Sequence, residues 1–238
     1  MDNLNYDFRK GEVLLVDKPL HWTSFDVVNK LRWRLNNKYN VKRFKVGHAG
    51  TLDPLATGLL IICTGNSTKL SESLTSEDKT YTGTFLLGKT TPSYDLETEF
   101  DQTFETEHIT EEQVFALAKS FEGAQKQTPP IFSAKKVNGK RAYKSAREGV
   151  AVELKENNIF INSFTIEAIR FPEVDFKITC SKGTYIRSIA NDFGKGLNSG
   201  GTLVALRRTA SGNLLIENSK TVDEWLEIML ASDIPEKL

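Results

Sequence analysis

A glycine-rich turn at residues 47–60 constrains this chain most, because it sets one carboxylate, Asp53, between two apolar segments that resemble strands. Gly47 and Gly50 permit backbone angles that a side chain would forbid, and Pro54 restricts Asp53 to an extended conformation. The backbone around Asp53 is therefore restricted, and its carboxylate is held in a defined direction. Chemistry concentrates in loops that rigid strands carry, so the segment predicts an active-site loop rather than an ordinary turn.

Helix and strand signals are mixed along the chain without a strict βαβ alternation. Apolar or alternating runs predict strands at about 13–16, 59–63, 81–87, 159–171 and 174–181. Capping patterns predict helices that begin at Thr23 or Ser24, at Thr110, at about Thr184 and at Thr221. The mixture favours an α+β fold with a large mixed sheet. One compact domain over residues 1–238 is expected.

The composition argues against a metal site, a disulfide framework and a membrane-spanning segment. Cys63 and Cys180 each lie in an apolar run, and the three histidines have no partner at ligand spacing. We therefore predict two buried thiols and no metal. No apolar run approaches membrane-spanning length, and the polar start lacks the apolar core of a signal peptide, so a cytoplasmic protein is expected.

Charge is balanced overall, with 31 basic and 31 acidic residues, but it is segregated along the chain. Residues 30–45 hold seven basic residues and no acid, and residues 135–147 hold six basic residues and no acid. A run of one sign is usually a solvated face. Aromatic residues within both runs favour instead a surface for a phosphate backbone with exposed bases. Residues 124–151 thus become a candidate insertion that grips RNA.

Four further segments accompany the Asp53 loop: Leu14–Pro19, Lys79–Gly83, Cys180–Arg187 and Leu203–Arg208. Together with Pro129–Tyr143, and in this order, they resemble the tRNA pseudouridine synthase B (TruB) family over about residues 11–212. The resemblance implies a pseudouridine synthase fold, with a large mixed, mostly antiparallel sheet flanked by helices and an insertion that grips RNA. It also implies a reaction in which the uridine at position 55 of the tRNA T loop is detached at N1, turned over and rejoined through C5, without a cofactor.

The resemblance also implies roles for single residues. Asp53 matches the catalytic aspartate, which either attacks the ribose C1′ or removes the C2′ proton, and the sequence leaves both routes open. Arg187 matches the arginine that pairs with this aspartate. Tyr81 matches the tyrosine that stacks on the target base. Without the family match, Tyr81 would be interpreted as a core residue and Arg187 as part of an ordinary surface ion pair.

Residues that bind the substrate follow from the same comparison. His48 matches the histidine that contacts the T loop, and Tyr185 and Leu206 match residues that line the base pocket. Within the insertion, the basic residues expected to hold the RNA are Lys135, Lys136, Lys140 and Arg141.

The expected partner is the T-arm stem-loop of tRNA, with the protein acting as a monomer that needs no protein partner. A small C-terminal RNA-binding PUA domain, which many family members carry, is not expected after residue 212. The competing hypothesis is a catalytically idle protein that binds or folds tRNA on the same scaffold. Both hypotheses use the basic runs and His48, but only an enzyme needs Asp53, Tyr81 and Arg187 together.

Overall fold

A computed structural model describes residues 6–132, 136–137, 140–141 and 154–232. The chain folds into two compact units: Met1–Lys79 with Arg207–Leu238 form unit 1, and Thr80–Leu206 form unit 2. A single catalytic domain over residues 1–238 without a PUA domain stays a prediction. Within the described part of the chain, no helix is both long enough and apolar enough to cross a membrane.

Strands and helices are numbered here in chain order. The strands are β1 (Val13–Lys18), β2 (Val46–Ala49), β3 (Ala56–Thr64), β4 (Lys79–Leu87), β5 (Lys89–Thr90), β6 (Gln102–Thr103), β7 (Gly123–Gln127), β8 (Lys136–Val137), β9 (Lys140–Arg141), β10 (Asn157–Arg170), β11 (Glu173–Cys180), β12 (Gly201–Ser211), β13 (Leu214–Leu215) and β14 (Lys220–Thr221). The helices are α1 (Ser24–Tyr39), α2 (Ser71–Ser76), α3 (Glu111–Ser120), α4 (Ile186–Gly196) and α5 (Val222–Ala231).

Unit 1 is built on the strand order β14-β1-β3-β12, to which β12 contributes its C-terminal part. Strand β1 runs parallel to β14 and antiparallel to β3. Strands β2 and β3 pair as an antiparallel hairpin with Ala49 opposite Ile61. Residues 50–55 are the connection of this hairpin, so the predicted active-site loop leaves one strand and enters the next.

Helix α1 begins where the sequence predicts, because Thr23 forms a capping box with Asp26. The Asp26 N–H donates to Thr23 Oγ1 at 3.0 Å, and the Thr23 N–H donates to the Asp26 carboxylate at 2.8 Å. The helix buries one apolar face, consisting of Val27, Val28, Leu31 and Leu35. Helix α5 starts with the same device, in which Thr221 caps the helix with Glu224, and it packs against α1.

Unit 2 has the strand order β12-β4-β11-β10-β7, with the N-terminal part of β12. Strands β10 and β11 are antiparallel, as are β10 and β7. An aromatic core lies against this sheet, and Phe85 stacks on Phe176 at 4.1 Å between ring centroids. Phe164 and Phe193, the latter from α4, complete the cluster. The mixed, mostly antiparallel sheet with flanking helices confirms the predicted α+β fold class.

Three predicted boundaries differ from the structure. Residues 124–127, predicted as part of the insertion, belong to β7 at the end of the unit 2 strand order, because its polar residues hide the strand signal. Helix α4 begins at Ile186 rather than at Thr184. Residues 89–108, for which no strand or helix is predicted, contain the short β5–β6 pair. Both cysteines are buried and unpaired, as predicted.

Candidate active site

Asp53 lies half-buried in the β2–β3 connection of unit 1. Gly50 begins this connection with φ of +86°, a conformation that favours glycine. The Ala56 N–H donates to the Asp53 carbonyl at 3.1 Å and closes the turn. The backbone on both sides of Asp53 is further held by three side chains, those of Ser24, Lys18 and Arg208.

Ser24 holds the residue that precedes Asp53. Its buried hydroxyl accepts a hydrogen bond from the Leu52 N–H at 2.8 Å and donates one to the Leu52 carbonyl at 3.1 Å. Both backbone polar groups of Leu52 are thus satisfied by a single side chain on α1. Since a buried backbone group without a partner is costly, this bond fixes the loop to the helix.

Lys18 holds the residue that follows Asp53. Its fully buried ammonium donates to the carbonyls of Trp22 at 2.7 Å, Pro19 at 2.9 Å and Pro54 at 3.5 Å. The three hydrogens of the ammonium match three acceptors. Burial lowers the pKa of Lys18 to about 8, although the Asp53 carboxylate opposes this by raising it. Lys18 therefore brings a positive charge close to Asp53.

Arg208 holds the start of the loop. Its buried guanidinium donates from Nε to the Leu59 carbonyl at 2.6 Å and from Nη2 to the Gly50 carbonyl at 3.1 Å. A Cβ at Gly50 would lie 3.4 Å from Arg208 Nη1. The planar fork of an arginine suits two carbonyls held at fixed positions.

His48 lies on β2 opposite Ile62, in the hairpin that carries the Asp53 loop. Burial and the nearby charge of Arg208 lower its pKa, so the imidazole is neutral at neutral pH. The buried Nδ1 has no hydrogen-bond partner among the described residues. A neutral ring at this position can contact a ribose or a base without bringing a charge.

In unit 2, Tyr81 and Leu206 lie on the neighbouring strands β4 and β12. Both side chains are partly buried and pack against the aromatic core. The two strands approach closely at Gly83, where a Cβ would meet the Ala205 carbonyl at 2.3 Å, so only glycine fits. The structure therefore brings these two predicted base-contacting residues to one part of the sheet.

Tyr185 is the N-cap residue of α4, and its backbone is held by the side chain of Gln127 from β7. The Gln127 amide accepts from the Tyr185 N–H at 2.8 Å and donates to the Tyr185 carbonyl at 3.0 Å. Gln127 is buried at the end of β7. This reciprocal pair sets the direction in which α4 begins and thereby positions the following residues.

Arg187 lies in the first turn of α4 and is buried. Its Nε lies 3.6 Å from a carboxylate oxygen of Asp95, which is also buried. Its Nη1 donates to the Phe132 carbonyl at 2.9 Å and to the Ser93 carbonyl at 3.4 Å. A guanidinium with these partners has a fixed orientation.

Comparisons with known proteins connect this geometry to one family. The model of the TruB family pseudouridylate synthase (N terminal domain) matches residues 36–186. The tRNA pseudouridine synthase B of Flavobacterium johnsoniae is 55% identical over 90% of this chain and 93% of that protein. The protein of the same name from Phocaeicola vulgatus is 51% identical over 93% of this chain and 95% of its own length. The chain belongs to the TruB family of pseudouridylate synthases.

A solved structure supports the fold of this TruB family member. The crystal structure of a Cbf5-Nop10-Gar1 complex contains a chain that is 25% identical, with a TM-score of 0.68. The match covers 93% of this chain but only 60% of that longer chain. The predicted family resemblance and the pseudouridine synthase fold are thus confirmed.

The roles predicted for single residues of this TruB family member stay predictions. The structure gathers Asp53 and His48 on the hairpin of unit 1, and Tyr81, Leu206, Tyr185 and Arg187 on elements of unit 2. The pairing of Asp53 with Arg187 joins residues of different units and is likewise a prediction. Among the residues that the structure describes, no group of three His, Cys, Asp or Glu side chains could hold a metal ion.

The basic residues predicted in the insertion are described only in part. Lys135 lies outside the described residues. Lys136 lies on β8, and Lys140 and Arg141 lie on β9. These strands pair in antiparallel fashion, with Lys136 opposite Arg141. Their role as RNA-binding residues stays a prediction.

The sequence assigns no chemistry to four residues that shape the site: Lys18, Ser24, Asp95 and Arg208. Lys18 and Arg208 lie within the segments that carry the family resemblance. Each is a cation next to an apolar strand, and this position is the sequence feature that could have indicated their importance. The sequence indicates Ser24 only as a possible helix cap. Asp95 is hidden among the many acids of residues 90–118, where a single buried carboxylate gives no local signal.

Proposed function

We propose that this chain is a tRNA pseudouridine synthase that converts the uridine at position 55 of the T loop to pseudouridine, with Asp53 as its catalytic carboxylate. The observation that carries the proposal is the Asp53 loop, whose backbone is held by Ser24, Lys18 and Arg208. Membership of the TruB family and relatives named tRNA pseudouridine synthase B support the choice of substrate.

The reaction is an isomerisation that balances without any other reactant. The N1–C1′ bond breaks, the uracil turns, and a C5–C1′ bond forms. C5 then loses its proton, and N1 ends with a hydrogen that it lacked in uridine. Neither an oxidant nor a cofactor enters, so the protein has to supply only a carboxylate, a base-binding pocket and exclusion of water.

Asp53 performs the step at the sugar. It either attacks C1′ as a nucleophile or removes the C2′ proton, and both routes need a carboxylate that is ionised and aimed. The loop contacts supply the aim, since they fix the residues before and after Asp53. The buried ammonium of Lys18 lies near enough to Asp53 for the charge of this carboxylate to raise the pKa of Lys18. Arg187, with its fixed orientation, is proposed to pair with Asp53.

The base has to leave the T loop before its C5 can react, because a stacked uridine is inaccessible. Tyr81 is proposed to stack on the extruded uracil, with Leu206 and Tyr185 as walls that exclude water. His48 is proposed to contact the T loop as a neutral ring, consistent with its lowered pKa. The basic residues of the insertion would hold the RNA backbone.

An unmodified T-arm stem-loop tests this function directly. The purified protein should convert only the uridine at position 55, and mapping of pseudouridine in the product measures the position. A stem-loop with cytidine at position 55 is the matched control and should stay unmodified. Binding without any pseudouridine would support the idle tRNA-binding protein instead, and pseudouridine at another position would contradict the proposed target.

A further inference from the structure

One side of α1 in unit 1 is both exposed and aromatic. Phe25 is 58% exposed and Trp33 is 55% exposed, although the opposite face of the helix lies in the core. Trp22 precedes the helix on the same side. A shallow cleft of about 410 Å³ lies here, lined by Trp22, Asp26, Asn29, Lys30 and Trp33.

The walls of this cleft are held in place by contacts already present. The Trp22 carbonyl accepts a hydrogen bond from the buried ammonium of Lys18 at 2.7 Å. The carboxylate of Asp26, the one acid of the cleft, accepts from the Thr23 N–H and hydroxyl in the capping box. Asn29 accepts from Arg32 through its side-chain oxygen at 3.0 Å, so its NH₂ group is the part suited to donate to a ligand.

Cations border the aromatic residues of the cleft. Lys30 lines it, and the guanidinium of Arg34 lies 5.7 Å from the centre of the Trp33 ring. Arg32 lies 5.9 Å from the Phe25 ring, and burial together with the nearby charge of Arg43 lowers its pKa. No acid occurs between Lys30 and Lys45. Positive charge around stacking surfaces is the arrangement by which proteins hold unpaired nucleotides.

We propose that this cleft is a second RNA-binding site, which takes an unstacked base of the substrate tRNA on Trp33 and places the adjoining phosphate near Lys30. The volume suits a nucleotide rather than a protein helix. The Asn29 amide can donate to a carbonyl oxygen of the base. The Asp26 carboxylate stays ionised, but the three cations Lys30, Arg32 and Arg34 outnumber it, so the surroundings of the cleft are net positive. The site rests on the proposed function, because the RNA in question is the substrate.

The test measures the dissociation constant for unmodified full-length tRNA from low to moderate salt. Trp33→Ala should raise Kd by about fivefold to a hundredfold, as expected when a base loses its stacking partner. Trp33→Phe, which keeps an aromatic face, should recover part of this loss. Phe115→Ala is the matched control, since Phe115 is 51% exposed on α3 among acidic residues, and it should bind as the wild type does.

A second variant and a second readout separate the contact from a structural effect. Lys30→Gln should reduce the slope of log Kd against log salt by about one unit or less, the share of one phosphate. In Trp33→Ala and Lys30→Gln, the rate of pseudouridine formation at saturating tRNA should stay at the wild-type value, because the cleft binds RNA without touching the reacting uridine.

The inference is overturned if Trp33→Ala and Lys30→Gln keep both the wild-type Kd and the wild-type salt slope. That outcome would leave the aromatic face available to a protein partner, with the RNA bound elsewhere. Failure of the proposed function has a different signature. In that case the wild type forms no pseudouridine, whereas failure of this inference alone leaves pseudouridine formation intact and tRNA affinity unchanged in the variants.

Discussion

Arg187 and Asp95 form an ion pair in the interior of unit 2, with 3.6 Å between Nε and Oδ2 and side-chain exposures of 5% and 7%. The same guanidinium donates to the Phe132 and Ser93 carbonyls. Two charges removed from water at this depth have to be paired and hydrogen-bonded to be tolerated. The pair therefore orients Arg187 before any substrate binds, and a role for Arg187 in catalysis depends on this orientation.

Arg187→Lys should lose most of the activity although it keeps the positive charge. An ammonium is a point-like donor, and it cannot satisfy Asp95 and the Phe132 carbonyl with the fixed geometry of the planar guanidinium. The single-turnover rate of pseudouridine formation measures the effect. The matched control is Arg170→Lys, which changes an exposed ion pair with Asp175 and should keep full activity. A near-wild-type rate for Arg187→Lys would place this residue outside the catalytic machinery.

Ser24→Ala should slow catalysis more than it weakens RNA binding. The change leaves the buried N–H and carbonyl of Leu52 without their partner, which costs about 1–3 kcal/mol and loosens the residue before Asp53. We expect a fall of roughly tenfold or more in the single-turnover rate, since small misplacements of a reacting group are costly. Ser73→Ala removes an exposed hydroxyl from α2 and is the control. Equal rates for the two variants would show that the hydrogen bonds between Ser24 and Leu52 do not position Asp53.

Lys18 predicts a pH dependence of stability whose sign follows from its pKa. Burial lowers the pKa of Lys18 to about 8 in the folded protein, below its ordinary value of 10.5. The folded state therefore binds fewer protons than the unfolded state between these values, and the free energy of unfolding rises with pH in this window. Between about pH 7 and pH 9.5, the wild type should gain roughly 1–2 kcal/mol relative to Lys18→Met.

Urea unfolding at several pH values measures this difference, and every other titrating group is common to both proteins. If the free energy of unfolding changed with pH by the same amount in the wild type and in Lys18→Met, the claim that burial lowers the pKa of Lys18 would be contradicted. Removal of the Asp53 charge should lower the pKa of Lys18 further, because the carboxylate is a cause that raises it. In Asp53→Asn, the rise in stability should therefore begin at a lower pH.

The positive charge of the insertion is expected to make tRNA binding depend on the salt concentration. Neutralising Lys135, Lys136, Lys140 and Arg141 together should weaken tRNA binding and flatten its dependence on salt, since each lost phosphate contact removes roughly one unit or less from the log–log slope. Single-turnover chemistry at saturating tRNA should change little. An unchanged slope would mean that these residues form a solvated face and that the RNA is held elsewhere.

Local signals explain what the sequence predicts well. Helix α1 follows from Thr23, its partner Asp26 and apolar residues at helical spacing, all within residues 23–35. The Asp53 loop follows equally from neighbouring glycines and Pro54. Both features depend on backbone preferences of adjacent residues, so they can be predicted without any tertiary contact.

Interactions between distant segments explain what the sequence cannot predict without the family resemblance. Arg208 reaches the Gly50 carbonyl across 158 residues of chain, and Asp95 meets Arg187 from a segment with many other acids. Strand β7 escapes prediction because its polar residues give no apolar alternation, and its pairing with β10 decides its structure. In each case the partner, rather than the local composition, determines the role.

The central claim is that Asp53 is the catalytic carboxylate, and release of tritium from a T-arm stem-loop labelled at C5 of uridine 55 tests it most directly. The C5 hydrogen is lost only when the base is rejoined through C5. The wild type and the control Asp223→Asn, an exposed acid on α5, should release the label. Asp53→Asn should release none while binding the RNA within about tenfold of the wild type, because the amide keeps the shape but neither attacks C1′ nor accepts a proton. Appreciable release by purified Asp53→Asn would contradict the account.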